Sequence, residues 1–110
     1  MNKDVMHELL QAGVEDWVSL DEAAWIVTEG DFSPTTKKLA LDAFADLYRD
    51  TLMVPGDLGE SGFEDWHGTS DDWITRSWAE LQRLSWLPKG SGFWLRLTDR
   101  GRTRLADRAL

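Results

Sequence analysis

Apolar residues recur at helical spacing in four well-marked segments of this 110-residue chain, and at alternating spacing in one. In residues 4 to 12, Val5, Met6, Leu9 and Leu10 form an amphipathic stripe that stops before Gly13. A second helix is predicted from Ser19, an N-cap with Glu22 three positions on in capping-box spacing, to Gly30. The third begins with Ser33 as cap and Pro34 at the first helical position, and carries Ala40, Ala43, Phe44, Leu47 and Tyr48 on one side. Ser70 is expected to cap the fourth, in which Trp73, Ile74, Trp78, Leu81 and Leu84 share a face and Asp71 and Asp72 sit in the anion-favouring first turn.

Between the third and fourth helices, Met53 to Ser70 is rich in glycine and turn formers. It reads as an irregular connection with a short extended piece near Val54. The alternation lies in "SWLPKGSGFWLRLT", where Phe93, Leu95 and Leu97 oppose Trp94 and Arg96 after Pro88, Gly90 and Gly92, and this predicts a hairpin. Thr98 then caps a last helix whose apolar positions are Leu105, Ala106, Ala109 and Leu110. The expected fold class is mainly α with a small β-hairpin, forming one domain over residues 1 to 110, with Phe44, Leu47, Trp78 and Leu81 buried where helices three and four meet.

Composition supports a packed globule, because 42% hydrophobic residues and seven tryptophans supply ample apolar area. The absence of cysteine removes disulfides and thiolate chemistry, in keeping with a reducing, cytoplasmic setting. The start, "MNKDVMHELLQAG", is too short and too acidic in its apolar run for a signal peptide or membrane span, and no membrane association is expected.

Charge alters this picture. The net value is -8, but it is divided unevenly: residues 1 to 90 hold 18 acids and seven bases, and the remainder holds five arginines and two aspartates. A field of negative sign repels a phosphate backbone and attracts basic proteins. The terminal arginines then pair with acids of the same chain or of a second copy in a homodimer, or else grip a nucleic acid.

That ending, "LRLTDRGRTRLA", resembles the close of many bacterial winged-helix regulators, where a wing strand runs through a Leu-Thr-x-x-Gly turn into a helix. Helices two and three, separated by a short turn, resemble a helix-turn-helix. The resemblance implies a modified winged-helix-like domain, modified because the wing hairpin in that fold follows the recognition helix directly, whereas here residues 53 to 84 intervene. The segments "PGDLGESGFEDW" and "WAELQRLSWLPKGSGFWLRLTDRGR" are also similar to a group of small bacterial proteins of uncharacterised function sharing Gly-Asp-Leu and Gly-Phe-x-x-Trp elements.

Chemistry-bearing motifs are few. His7 and His67 stand 60 residues apart without metal-binding spacing, and there is no phosphate loop, nucleophile elbow or carboxylate pair of a known catalytic pattern. No catalytic residue, metal or cofactor is expected. His67 lies beside Trp66 and near several acids, so a cleft raising its pKa is one reading and a solvated loop the simpler one. The acidic loop, with Asp57, Glu60, Glu64, Asp65, Asp71 and Asp72 around Trp66, is the expected partner-binding surface, since long loops carry function and an aromatic anchor within a charged rim suits an interface. Trp17 and Trp73 are further aromatic anchors beside acids. On the third helix Lys37, Lys38 and Arg49 are offset by Asp42, Asp46 and Asp50, a poor footprint for DNA. The expected function is non-catalytic docking of a basic, nucleic-acid-handling protein, as an immunity protein, antitoxin or inhibitor would do; a winged-helix DNA-binding transcriptional regulator is the alternative.

Overall fold

The computed structural model describes residues 4–108, so Ala109 and Leu110 of the expected last apolar stripe lie outside the described residues. Five helices and a small antiparallel sheet follow in the order α1 (Val5–Ala12), β1 (Val18–Ser19), α2 (Leu20–Thr28), α3 (Pro34–Arg49), β2 (Met53–Gly59), β3 (Gly62–Asp65), α4 (Ser70–Arg83), β4 (Trp94–Leu97) and α5 (Asp99–Arg108). A mainly α fold with a small β component is what the hydrophobic spacing predicts.

Most helix boundaries sit where local chemistry places them. Ser19 accepts from the Glu22 N–H at 3.1 Å, Ser33 from the Thr36 N–H at 3.3 Å, and Thr98 from the Gly101 N–H at 2.9 Å, each satisfying a donor that the helix itself leaves unpaired. In α4 the cap is Thr69 rather than Ser70. Its hydroxyl accepts from the Asp72 N–H at 3.3 Å while the Asp72 carboxylate accepts from the Thr69 N–H at 2.9 Å, a reciprocal box shifted one residue from the expected start.

The sheet departs further from expectation. Residues 85 to 97 form no hairpin: Ser85 and Trp86 adopt positive φ, and the Trp86 N–H returns to the Leu81 carbonyl at 2.8 Å, so the expected first arm closes α4 instead. The hairpin is β2–β3, inside the segment read as irregular, with Gly59 opposite Gly62 and two residues between them. Pro55 fits this strand because its carbonyl accepts the Trp66 N–H at 2.9 Å while β3 ends at Asp65, so the missing proline N–H faces no further rung of the β3 ladder. β4 lies between distant segments, with Leu95 opposite Val18 of β1 and Pro55 of β2, giving the order β1-β4-β2-β3.

One face of this sheet enters the core. Val18, Met53, Leu95 and Leu97 join Leu9, Leu10, Phe44, Leu47 and Leu81 in a single buried cluster. The Tyr48 hydroxyl meets Ser77 Oγ at 2.7 Å across the α3–α4 contact, satisfying two buried polar groups at once. Phe44, Leu47 and Leu81 are buried as expected, but Trp78 is only half-buried and lies edge-on to Trp86, the better-buried ring. No helix among the described residues is long and apolar enough to cross a membrane.

Candidate protein-docking surface

The β2–β3 hairpin sets Asp57 opposite Glu64 and Gly56 opposite Asp65, so adjacent acids of β3 point to opposite faces of the sheet. Gly56 is required there: a Cβ on it would stand 2.4 Å from the Phe63 ring, which folds across the outer face. On that face Arg96 reaches back from β4 and donates to Asp65 from Nε at 3.2 Å and from a terminal nitrogen at 2.9 Å. This two-pronged pair is the most specific ion pair of the region.

Trp66 is not the exposed anchor expected from its acidic surroundings. It is buried at 5% exposure, with Phe93 4.6 Å away between ring centroids and the Arg76 guanidinium 3.8 Å over its ring. Its indole N–H donates to Asp57 at 3.0 Å, and Asp57 also faces Arg76 at 3.5 Å. Asp57 therefore anchors a core tryptophan. Asp71 faces Arg49 at 3.4 Å, and Asp72 is engaged in the α4 cap, where the Thr69 backbone N–H and then its hydroxyl hold the carboxyl below the usual carboxylate range. Of the expected set, Glu60 and Glu64 are exposed and have no ion-pair partner among the described residues.

The cationic end of the chain is largely engaged by the chain itself. Besides Arg96, Arg102 donates to the Val14 carbonyl at 3.2 Å and Arg104 approaches Asp50 at 4.0 Å. The Arg104 pair is exposed and of small energetic weight. On α3, Lys38 pairs with Asp42 at 3.2 Å.

Of the further aromatic anchors expected beside acids, Trp17 lies exposed beside the hairpin. Trp17, 39% exposed, tilts against Phe63 with centroids 5.5 Å apart, and its ring edge would be 3.5 Å from a Cβ on Gly62. Leu58, cross-strand from Phe63, is also exposed. Glu15 and Asp16 precede Trp17, and Glu60 lies in the hairpin turn before Phe63, so three exposed acids adjoin this apolar centre in the chain, whereas Glu64 points to the other face of the sheet. Next to it a cleft of about 300 Å³ is lined by residues 13 to 17 together with Arg96, Leu97 and Arg102. Such a surface can take an apolar side chain at its centre and cations at its edge. Trp73, by contrast, is half-buried, edge-on to Tyr48, and donates its N–H to the His67 carbonyl. No protein-family model matches this chain, and no curated protein or solved structure does either.

Proposed function

We propose that this protein acts without catalysis by docking a basic protein, as an immunity protein, antitoxin or inhibitor of a nucleic-acid-handling factor does, through the surface centred on Trp17 and bordered by Glu15, Asp16 and Glu60. The observation that carries this reading is the disposition of charge: Arg96, Arg102 and Arg104 turn back onto Asp65, the Val14 carbonyl and Asp50, while Glu15, Asp16 and Glu60 beside an exposed tryptophan have no ion-pair partner among the described residues. A net charge of -8 adds long-range attraction for a cationic partner. Of the expected Asp57–Asp72 surface this reading keeps Glu60, and it takes Trp17 in place of Trp66.

The fold of this proposal is a modified winged helix. Three features support it: α2 and α3 are joined by a short turn, β2 follows α3 directly and pairs with β4, and β4 passes through Thr98 and Gly101 into α5. In that description β2 and β4 are the two wing arms, and β3 with α4 is an insertion between them. The insertion also bears on DNA recognition, since α4 packs along α3, covering Tyr48 through Trp73 and Ser77 and drawing Arg49 to Asp71. A helix covered and neutralised in this way is poorly placed for a major groove.

Affinity capture with the wild-type chain, followed by surface plasmon resonance on the captured protein, tests the reading. Glu15→Lys with Glu60→Lys is expected to slow association and flatten its salt dependence, and Trp17→Ala to speed dissociation. Saturable duplex-DNA binding at physiological salt that is lost in Arg100→Ala with Arg102→Ala would replace the proposal with the regulator.

A further inference from the structure

A second exposed apolar surface lies on α2, away from the acidic hairpin. Asp21, Ala24, Trp25 and Thr28 follow one another at helical spacing, and with Phe32, Trp86, Leu87 and Pro88 they line an apolar groove of about 160 Å³. Its edges are unusually open for large side chains: Trp25 is 63% exposed, Leu87 50% and Phe32 37%. The walls are fixed in place. Glu29 and Gly30 take positive φ, turning the chain so that the Trp25 ring rests 3.4 Å from where a Gly30 Cβ would be. Opposite, the Lys89 N–H donates to Asp21 at 3.3 Å, tying the Leu87–Pro88 loop to α2, and the Trp86 floor is held by its N–H to Gln82 at 2.8 Å. A groove built before its ligand arrives spares much of the ordering cost of binding.

The rim decides what fits. Asp21, Glu22, Glu29 and Asp31 are all exposed around α2 and the turn that follows it, against Lys89 and against Lys37, whose ammonium lies 5.6 Å from the Trp86 ring. Asp31 accepts from the Ser33 N–H and the Thr36 hydroxyl, which keep it ionised. A two-fold contact with a second copy would set this acidic rim against itself. The volume is close to the ~150 Å³ in which an engineered apolar cavity binds benzene.

We infer that this groove receives one large apolar side chain, of phenylalanine size, from a segment of the partner protein in which that residue is flanked by lysine or arginine. The inference rests on the reading that the partner is basic, and it adds the feature of the partner that would be recognised and a second place where it is held.

The probe is the peptide acetyl-Lys-Arg-Phe-Arg-Lys-amide, titrated into the ¹⁵N-labelled chain and followed by NMR, beside the same peptide with Ala for Phe and one with Glu for each cation. Saturable shifts at the Trp25 indole and the Ala24, Thr28 and Leu87 amides are expected for the first peptide. Binding should be about tenfold or more weaker for the Ala peptide, and absent for the acidic one. Trp25→Ala, and independently Leu87→Ala, should abolish the response while the rest of the spectrum is kept. Equal binding of the Phe and Ala peptides, shifts confined to Asp16, Trp17 and Glu60, or no saturable response would overturn the groove assignment, and the first two would leave a basic partner standing. Concentration-dependent shifts at Trp25 without peptide would overturn it in favour of a second copy. Loss of the basic partner itself is read separately, by the capture experiment.

Discussion

Replacing Gly101 with alanine sets two effects of opposite sign against each other. Within a helix, Gly→Ala ordinarily stabilises by roughly 0.5–1 kcal/mol because the glycine backbone loses more entropy on folding. Gly101 is buried in the first turn of α5, where a Cβ would stand 2.3 Å from the Leu52 carbonyl oxygen and 2.5 Å from Leu97 Cδ1. The backbone oxygen cannot swing aside as a side chain would. That oxygen already accepts from the Thr98 N–H at 3.1 Å and the Thr98 hydroxyl at 3.0 Å, so moving α5 outward loosens bonds of about 0.5–1.5 kcal/mol each. Adding the ~1–3 kcal/mol typical of forcing a methyl into a packed site, the clash outweighs the helix gain, and a net loss of about 2 kcal/mol is expected. For a domain of this size that lowers Tm by roughly 10 °C. Thermal and urea melts of Gly101→Ala beside Thr103→Ala, an exposed position of the same helix expected to change stability by only a few tenths of a kcal/mol, isolate the clash from propensity. Stability of Gly101→Ala at or above that of the wild type would refute the close seating of α5 on Leu52.

Four further outcomes are expected. Tyr48→Phe and Ser77→Ala should each cost about 1 kcal/mol in urea unfolding by orphaning a buried hydroxyl, with the double variant less than additive. Burial also holds the Tyr48 phenol protonated well above its usual range, so stability is full below about pH 10 and declines as pH rises beyond it; the alkaline slope should be shallower in Tyr48→Phe. Trp66→Ala should destabilise by ~3–5 kcal/mol in thermal melts, as loss of a core aromatic does, rather than act through binding alone. Asp72 has a depressed carboxyl pKa, so its contribution is present above about pH 4 and lost as pH falls below; the acid limb of the stability curve should flatten in Asp72→Asn, measured by urea titrations across that range.

The helices were legible because their signals are local. Ser19, Ser33 and Thr98 each need only a donor three residues on, and Pro34 is favoured where no N–H is required. The β2–β3 hairpin was hidden by the residues that make it work: Gly56 gives way to the Phe63 ring, Gly62 turns at φ 103°, and Pro55 spends its missing N–H where β3 has ended. The alternation of residues 93 to 97 marked a strand correctly, but its partners lie near residues 18 and 55, and no local pattern points to them. Trp66 and Trp17 both follow acids in the sequence, yet one is core and the other surface. What separates them is whether a guanidinium and a phenyl ring from elsewhere in the chain close over the indole.

The central position of β4 bears on how the protein comes to be folded. Until residues 94 to 97 leave the ribosome, β1 and β2 have no strand between them, and the core lacks Phe93, Leu95 and Leu97. The helices α1 to α3 are complete long before that moment, with apolar faces awaiting a sheet that cannot yet close. Sequence-distant pairing of this kind slows folding relative to a helical bundle of equal length, and it prolongs the interval in which the β2 edge is open to wrong neighbours. The acids of the β2–β3 hairpin act during that interval too, since strands carrying Asp57, Glu64 and Asp65 repel their own copies on neighbouring nascent chains.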